Sequence, residues 1–549
     1  RILGRVPQTT FTSLKDDPRV SSKCYSGSTI DVSVKPTKRE DIQQFTNYIY
    51  KKHLIKNLNF IIYVCDDDGN VKQESVDNIL LRCYEYYVEI VRIKLINECI
   101  NHINKKFVNQ VILIIREILE NNPKVKTIEE ASSERFKSVS SIFSVSYKKP
   151  IYMESAAFQY MFDKYGNSYL DAYNNIPHVG HSHPKVIEAG QKQMARLNTN
   201  TRYLYDQLNE YSTNLLKKFP SQLSKVFFVN SGSAASDLAL RLARNFTVKN
   251  RVAAVEHGYH GNMQSVIEIS HYKFAGKGGK GATENVLCLP IPGSYRGEFR
   301  NENAGLSYAK DANQQINTSE EKIAAFIAEP IIGCGGQVPL AKNYLKEIYA
   351  AIRSQGGVCI SDEVQTGFGR LGDVFWGFEQ HQVIPDIVIL GKPMGNGHPM
   401  GAVVCTDEIA EAFNNGMEFF SSFGGNPVSC AIGQAVLDVM DEEKLQQNAK
   451  LVGDYYLQEL AKLQQKYECI GDVRGSGLFI GFEFVKNRLT LEPDTELAQK
   501  VKNKLRGNHI LVGTDGPFDN VIKSKPPLCF WKENVDEVIL KLDKILNFK

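Results

Sequence analysis

The residues that could do chemistry stand where short apolar runs end. Lys392 follows the run 386–390 and lies in the small-residue stretch GKPMGNG at 391–397. A lysine in such a setting can lose its proton and act as an amine nucleophile. Asp362 is a carboxylate that follows another apolar run, at 357–361. Asn230-Ser231-Gly232-Ser233 follows the run 225–229 and opens a helical pattern over 234–246. Free backbone N–H groups and the helix dipole make such a turn an anion site, and glycine lets the anion come close. Tyr259 and His260, after the run 251–255, can supply an aromatic face. Singly, each has a plainer reading: Lys392 as a surface residue, Asp362 as a salt-bridge partner, Tyr259 as core. Together they match the needs of pyridoxal phosphate, which takes a phosphate cradle, a lysine to bond it and an acid opposite its pyridine nitrogen.

The elements that must position them alternate. Apolar strands at 225–229, 251–255, 323–328, 357–361 and 386–390 are separated by helical patterns, which predicts an α/β domain with a mainly parallel sheet. Ligands of such sheets bind beyond the carboxyl ends of the strands. Every candidate motif lies at that edge, so one shared site is expected.

From about Phe136 onward, roughly three quarters of the chain, the sequence resembles the class III (subgroup II) pyridoxal-phosphate aminotransferase family. The resemblance rests on NSGS at 230–233, GYHG at 258–261, AEP at 328–330, DEVQTGFGR at 362–370, GKPMGNG at 391–397 and FGGNP at 423–427. It implies fold type I, a homodimer, a large cofactor domain and a small domain built from both chain ends. The corresponding boundaries are 135–195 for the first small-domain segment, 196–435 for the cofactor domain and 436–549 for the rest. It implies catalytic roles for Lys392, which would carry the cofactor and move a proton, and Asp362, which would keep the pyridine nitrogen protonated. Gly232 and Ser233 would bind the phosphate, Tyr259 would stack on the ring with His260 beside it, and Gln365 would bond near the ring hydroxyl. Ser422, where the family usually has threonine, would reach the cofactor of the neighbouring subunit. The pattern departs from the family at Ala234, in place of glutamate, and at Ser236, in place of asparagine. Loss of a first-turn glutamate is expected to loosen that turn.

Within the family, NNIPHVGHSHP (174–184), NTNTRYL (198–204), SYRGEFR (294–300) and GTDGPFDNVIKSKPPLCF (513–530) are similar to phospho-lyases acting on phosphoethanolamine or 5-phosphohydroxy-lysine. Aminotransferases of this class usually carry an arginine where Lys523 stands, and a lysine cannot reproduce its bidentate grip on a carboxylate. Arg296, Arg300, Lys523 and Lys525 form the expected cationic set for a substrate phosphate; their plainer reading is a solvated basic rim. The leading function is β-elimination of phosphate. An ω-aminotransferase of alanine–glyoxylate type comes second, and a non-catalytic scaffold third. His178, His181 and His183 could assist as acids or bases, or simply pack.

The first 130 residues differ in character. Of 41 glycines, only Gly4, Gly27 and Gly69 fall there. A β-prone run at 59–65, the acidic turn Asp66-Asp67-Asp68-Gly69 and helical patterns at 76–100 and 107–119 predict a βα unit plus a helix, with one clear strand. The aspartates read as a solvated turn more readily than as a metal site. Residues 1–134 are therefore expected to be an extension of unassigned function.

Net charge is +3, too small to argue for nucleic-acid or membrane binding. The 11 cysteines show no CxxC pair and no zinc spacing, which suggests reduced thiols, no bound metal and an intracellular protein, cytoplasmic or mitochondrial. The chain begins at Arg1, so its start is read as missing or processed.

Overall fold

The computed structural model describes residues 126–300 and 302–547, with the backbone of five short strands nearer the amino terminus. Three of those strands, Ile2–Pro7, Val20–Lys23 and Thr29–Val34, form an antiparallel sheet with Thr29–Val34 in the middle. The others, Ile62–Cys65 and Val71–Glu74, form a hairpin. One strand was expected here and five are found. Thr29–Val34 has the period-two alternation of Ile30, Val32 and Val34, and Ile2–Pro7 is mostly apolar but interrupted by Gly4 and Arg5, whereas Val20–Lys23 and Val71–Glu74 are four residues long, mostly polar and give little hydrophobic signal. Asp66-Asp67-Asp68-Gly69 and the helical patterns at 76–100 and 107–119 lie outside the described residues.

The larger unit is organised by a seven-stranded sheet. Its strands are β1 (Leu223–Val229), β2 (Arg251–Val255), β3 (Val286–Leu289), β4 (Ile323–Ala328), β5 (Val358–Asp362), β6 (Ile387–Leu390) and β7 (Gly401–Thr406), in spatial order β3-β2-β4-β5-β6-β7-β1. Only β7 runs against its neighbours, so β1 points the same way as the parallel strands. β4, β5 and β6 are buried at every position, as strands covered on both faces must be. In β4, Ala325 and Ile327 join one core with Leu238 and Leu242 of helix α1 (Gly232–Thr247). Phe326 and Ala328 join the other, with Ile348 and Ile352. The period of two delivers alternate residues to opposite faces.

β3 and β7 were not anticipated. β3 is a four-residue edge strand, and β7 begins directly after a glycine- and proline-rich stretch. A second, antiparallel sheet contains Ile470–Ser476, Phe479–Asn487, Val521–Ser524 and Gly513–Asp515. Beside it, Ile510–Leu511 pairs in parallel with Ser168–Asp171, so segments far apart in the chain share one sheet. Among the described residues, no helix is long and apolar enough to cross a membrane.

Candidate active site

The carboxyl ends of five strands converge. β1 leads into the Asn230–Ser233 turn, β2 into His257–Gly261, β4 into Glu329, β5 ends on Asp362, and β6 leads through Gly391 to Lys392. Two glycines let the loops touch. A Cβ on Gly391 would lie 3.1 Å from the Gly232 Cα, and one on Gly232 would lie 3.1 Å from a Val364 methyl. The lysine loop and the helix turn therefore pack backbone to backbone, and the Asp362 loop packs its Val364 side chain against both. Gly391→Ala should lower stability by about 1–3 kcal/mol and weaken cofactor retention; thermal melting with and without cofactor measures both.

The turn at Gly232 is a built cradle. Ser231 caps α1, its hydroxyl accepting from the Ala234 N–H at 3.1 Å. Gly232 and Ser233 head the helix, where N–H groups have no intrahelical acceptor. The Ser233 hydroxyl accepts from Asn262 N–H at 3.0 Å, tying the β2 loop to the turn. Ala234 does not leave the turn loose, because Ser231 supplies the cap and the Ser236 hydroxyl donates to the Gly232 carbonyl at 3.0 Å.

Asp362 is 3% exposed. One carboxylate oxygen accepts from Val364 N–H at 3.1 Å, and the other lies 2.7 Å from His260 Nδ1. His260 is fully buried behind the carboxylate. It is set to hold Asp362 rather than to offer a ring face. Tyr259 is half-buried, with its ring edge-on to Tyr272 at 5.9 Å and its N–H on Glu329 at 3.4 Å.

Lys392 has no hydrogen-bond or ion-pair partner among the described residues. Burial pushes its ammonium below the ordinary lysine range, against the opposing fields of Asp362 and Glu329. That is the environment a nucleophilic amine needs. An anion cradle, a buried carboxylate and an unpartnered amine at one edge fit pyridoxal phosphate. Gly232 and Ser233 suit its phosphate, Asp362 its ring nitrogen and Lys392 its aldehyde carbon.

Gln365 is shared three ways. Its amide N–H donates to Glu329 at 3.3 Å, and its oxygen accepts from Lys525 Nζ at 2.8 Å and Asn175 at 2.9 Å. Glu329, in AEP at the end of a wholly apolar strand, and Asn175, in NNIPHVGHSHP, were given no role from sequence. Burial, then the Asp362 charge, raises the Glu329 carboxyl above the ordinary carboxylate range.

The four expected cations part company. Lys523 pairs with Asp515 at 2.8 Å. Burial works against its charge, but Asp515, Tyr173 and Cys334 together outweigh burial and hold its ammonium above the usual lysine range. Its field also acts on Lys392 and Lys525. Lys525 is 3% exposed and bonded to Gln365, inside the site. Arg296 instead pairs with Glu483 in a separate cleft of about 480 Å³ that also contains Arg474, Asp472 and His257. Arg300 is exposed and donates to its own loop, at Gly297 O, 2.8 Å away. Ser422 is exposed on the loop before helix Pro427–Glu442.

The three histidines are engaged elsewhere. His178 is buried, with Nε2 2.6 Å from Phe368 O and Nδ1 3.2 Å from Arg370, and burial drives it to the neutral form. His181 pairs with Asp171 at 2.7 Å and His183 with Glu443 at 3.0 Å.

Residues 142–546 match the family model described as aminotransferase class-III. A Drosophila melanogaster protein named alanine–glyoxylate aminotransferase 2-like is 52% identical over 392 residues, covering 70% of this chain and 79% of that one. A Caenorhabditis elegans protein named ethanolamine-phosphate phospho-lyase homolog 1 is 40% identical over 440 residues, covering 77% and 94%. Among solved structures, a phospholyase from Arthrobacter in complex with phosphoethanolamine superposes with a TM-score of 0.73 at 35% identity, covering 76% of this chain and 99% of that one.

Proposed function

The chain belongs to the class-III aminotransferase family, with fold type I and pyridoxal phosphate as its cofactor, and from that premise we propose that it is a phospho-lyase. It eliminates phosphate from a small amine phosphorylated on the neighbouring carbon, with phosphoethanolamine as the first candidate. One observation carries this reading. Where a carboxylate-clamping arginine is expected in an aminotransferase, this chain has Lys523 neutralised by Asp515, and beside it a buried Lys525 with no carboxylate partner among the described residues. A buried ammonium without a counter-ion is costly, and a substrate phosphate would relieve that cost. The names of the C. elegans relative and the Arthrobacter structure support the same reading.

When bound, the cofactor supplies an electron sink for the carbon that bears the substrate amine. The residues do the rest. Gly232 and Ser233 hold its phosphate, and Asp362, braced by His260, keeps its ring nitrogen protonated. Lys392 Nζ removes the proton from the amine-bearing carbon. Lys523 and Lys525 bind the substrate phosphate and stabilise its departure. Arg296 and Arg300 are left out, one held by Glu483 and the other exposed.

We place Ser422 at a subunit boundary. Leu204 is fully exposed, and Tyr203, Met417 and Phe423 are each more than 60% exposed, the kind of apolar surface that a second subunit covers. The resemblance supports a homodimer, which sedimentation would detect.

The name of the Drosophila relative favours a second reading, amino transfer. The holoenzyme given phosphoethanolamine should release phosphate and ammonia without a keto acid. No phosphate from phosphoethanolamine or 5-phosphohydroxy-lysine, with amino transfer to pyruvate or glyoxylate, would reverse the assignment.

A further inference from the structure

β-Elimination from a phosphate ester has a proton requirement that Lys392 does not meet. The second ionisation of a phosphate monoester has a pKa of about 6, so near neutrality the substrate is mostly a dianion. If its carbon–oxygen bond breaks unaided, a strongly basic trianion must leave. A proton has to arrive on the departing oxygen, while Lys392 is removing one from carbon.

We propose that Lys525 is the general acid that protonates the departing phosphate, with Lys523 acting as a fixed positive charge. This rests on the phospho-lyase reading. The two lysines stand two residues apart, one on and one just after strand Val521–Ser524, yet their surroundings differ. Lys523 gives its charge to Asp515 at 2.8 Å and lies 5.2 Å from the Tyr173 ring centroid. An ammonium so held is a poor proton donor. Lys525 is 3% exposed. Among the described residues, its side chain's one polar partner is the neutral Gln365 oxygen at 2.8 Å, and the Phe479 ring lies 4.5 Å away. Lys523, Asp515, Cys334 and Glu329 are the ionisable groups that act on it, from the second sheet and the loop after β4. Burial, then the Lys523 charge, lowers its ammonium from the ordinary lysine range, which makes it a stronger acid.

The step balances. Lys392 Nζ accepts the proton from the amine-bearing carbon, and that C–H pair becomes the new carbon–carbon double bond. The carbon–oxygen bond breaks with its electrons on oxygen, and oxygen takes a proton from Lys525 Nζ. Phosphate leaves as the hydrogen-phosphate dianion. Lys392 ends protonated and Lys525 neutral, so one proton passed between them restores both.

The test compares two leaving groups of the same shape. Sulfate leaves 2-aminoethyl sulfate as a stable dianion and needs no proton. Holoenzyme, Lys525→Arg and Lys525→Met are assayed with phosphoethanolamine and with 2-aminoethyl sulfate, from pH 6 to 10, with inorganic phosphate binding to the cofactor-loaded proteins measured alongside. Lys525→Arg keeps the charge but cannot donate. It should leave phosphate binding and KM nearly unchanged, lower kcat for phosphate release roughly 100-fold and abolish the alkaline fall in rate. Sulfate release should fall far less than phosphate release in Lys525→Arg, while Lys525→Met, which loses the charge as well, should also raise KM for both substrates; thermal melting reports that both variants fold. Equal losses with both substrates, or an unchanged kcat in Lys525→Arg, would overturn the acid role while leaving the lyase intact. Failure of the unmutated enzyme to release phosphate overturns the lyase reading itself.

Discussion

Lys392→Ala should abolish turnover, lowering kcat by at least roughly 10⁴-fold. The expectation follows from what surrounds the amine. Lys392 is delivered by a wholly buried strand through Gly391, which must pack against Gly232, so the loop has no freedom to present another residue. The other two lysine amines of the site are engaged, Lys523 by Asp515 and Lys525 by Gln365. Neither replaces an amine that both bonds the cofactor and moves a proton. Borohydride treatment of the loaded enzyme should add cofactor mass to the peptide bearing Lys392, and to no peptide of the variant. The variant should still fold. Lys392 has no ion pair to lose, and replacing it removes the cost of burying an ammonium. An unchanged or raised melting temperature of the cofactor-free protein would separate this chemical loss from a structural one. Substantial activity in Lys392→Ala would contradict the whole mechanism.

Asp362→Asn should lower kcat by roughly 10²–10³-fold while leaving cofactor on Lys392. Asparagine keeps the shape: its oxygen can still accept from Val364 N–H, and its NH2, in place of the second oxygen, can donate to His260 Nδ1 once that ring carries its proton on Nε2. What disappears is one negative charge in a water-excluded position, where it acts far more strongly than at the surface. The side chain no longer favours a proton on the cofactor's ring nitrogen, and the electron sink weakens. Single-turnover kinetics with phosphoethanolamine, together with borohydride labelling at Lys392, separate the two effects. Normal labelling with slow release is the expected result. If Asp362→Asn turned over at the unmutated rate, the carboxylate would be structural.

The strands that carry the site were legible because they are buried on both faces. Such strands are apolar along most of their length: β4 and β6 throughout, and β5 up to Ser361 and Asp362 at its end. Where the signal was weaker, the reading was incomplete. β3 lies at the sheet edge and is four residues long, and β7 follows a stretch that looks like loop. The hairpin Ile62–Cys65 with Val71–Glu74 showed only its apolar half. His260 was legible as a site residue but not in its place, because only the distance to Asp362 puts it behind the carboxylate.

What the sequence by itself determined is the kind of chemistry: an amine, an acid and an anion turn, each at the end of an apolar run. Those features are local, since a strand's composition and the residue that follows it are set within about ten positions. Which of the four candidate cations lie beside the Asp362 and Lys392 site was decided only by the tertiary structure. Arg296, Arg300, Lys523 and Lys525 were equivalent as a list of positive charges. Arg296 meets Glu483 and is held in another cleft, Lys523 meets Asp515, Lys525 meets Gln365, and Arg300 turns back on its own loop. The physical reason is that a long charged side chain takes its role from its counter-ion and its burial. For Arg296 and Lys525, the deciding partner lies 187 and 160 residues away.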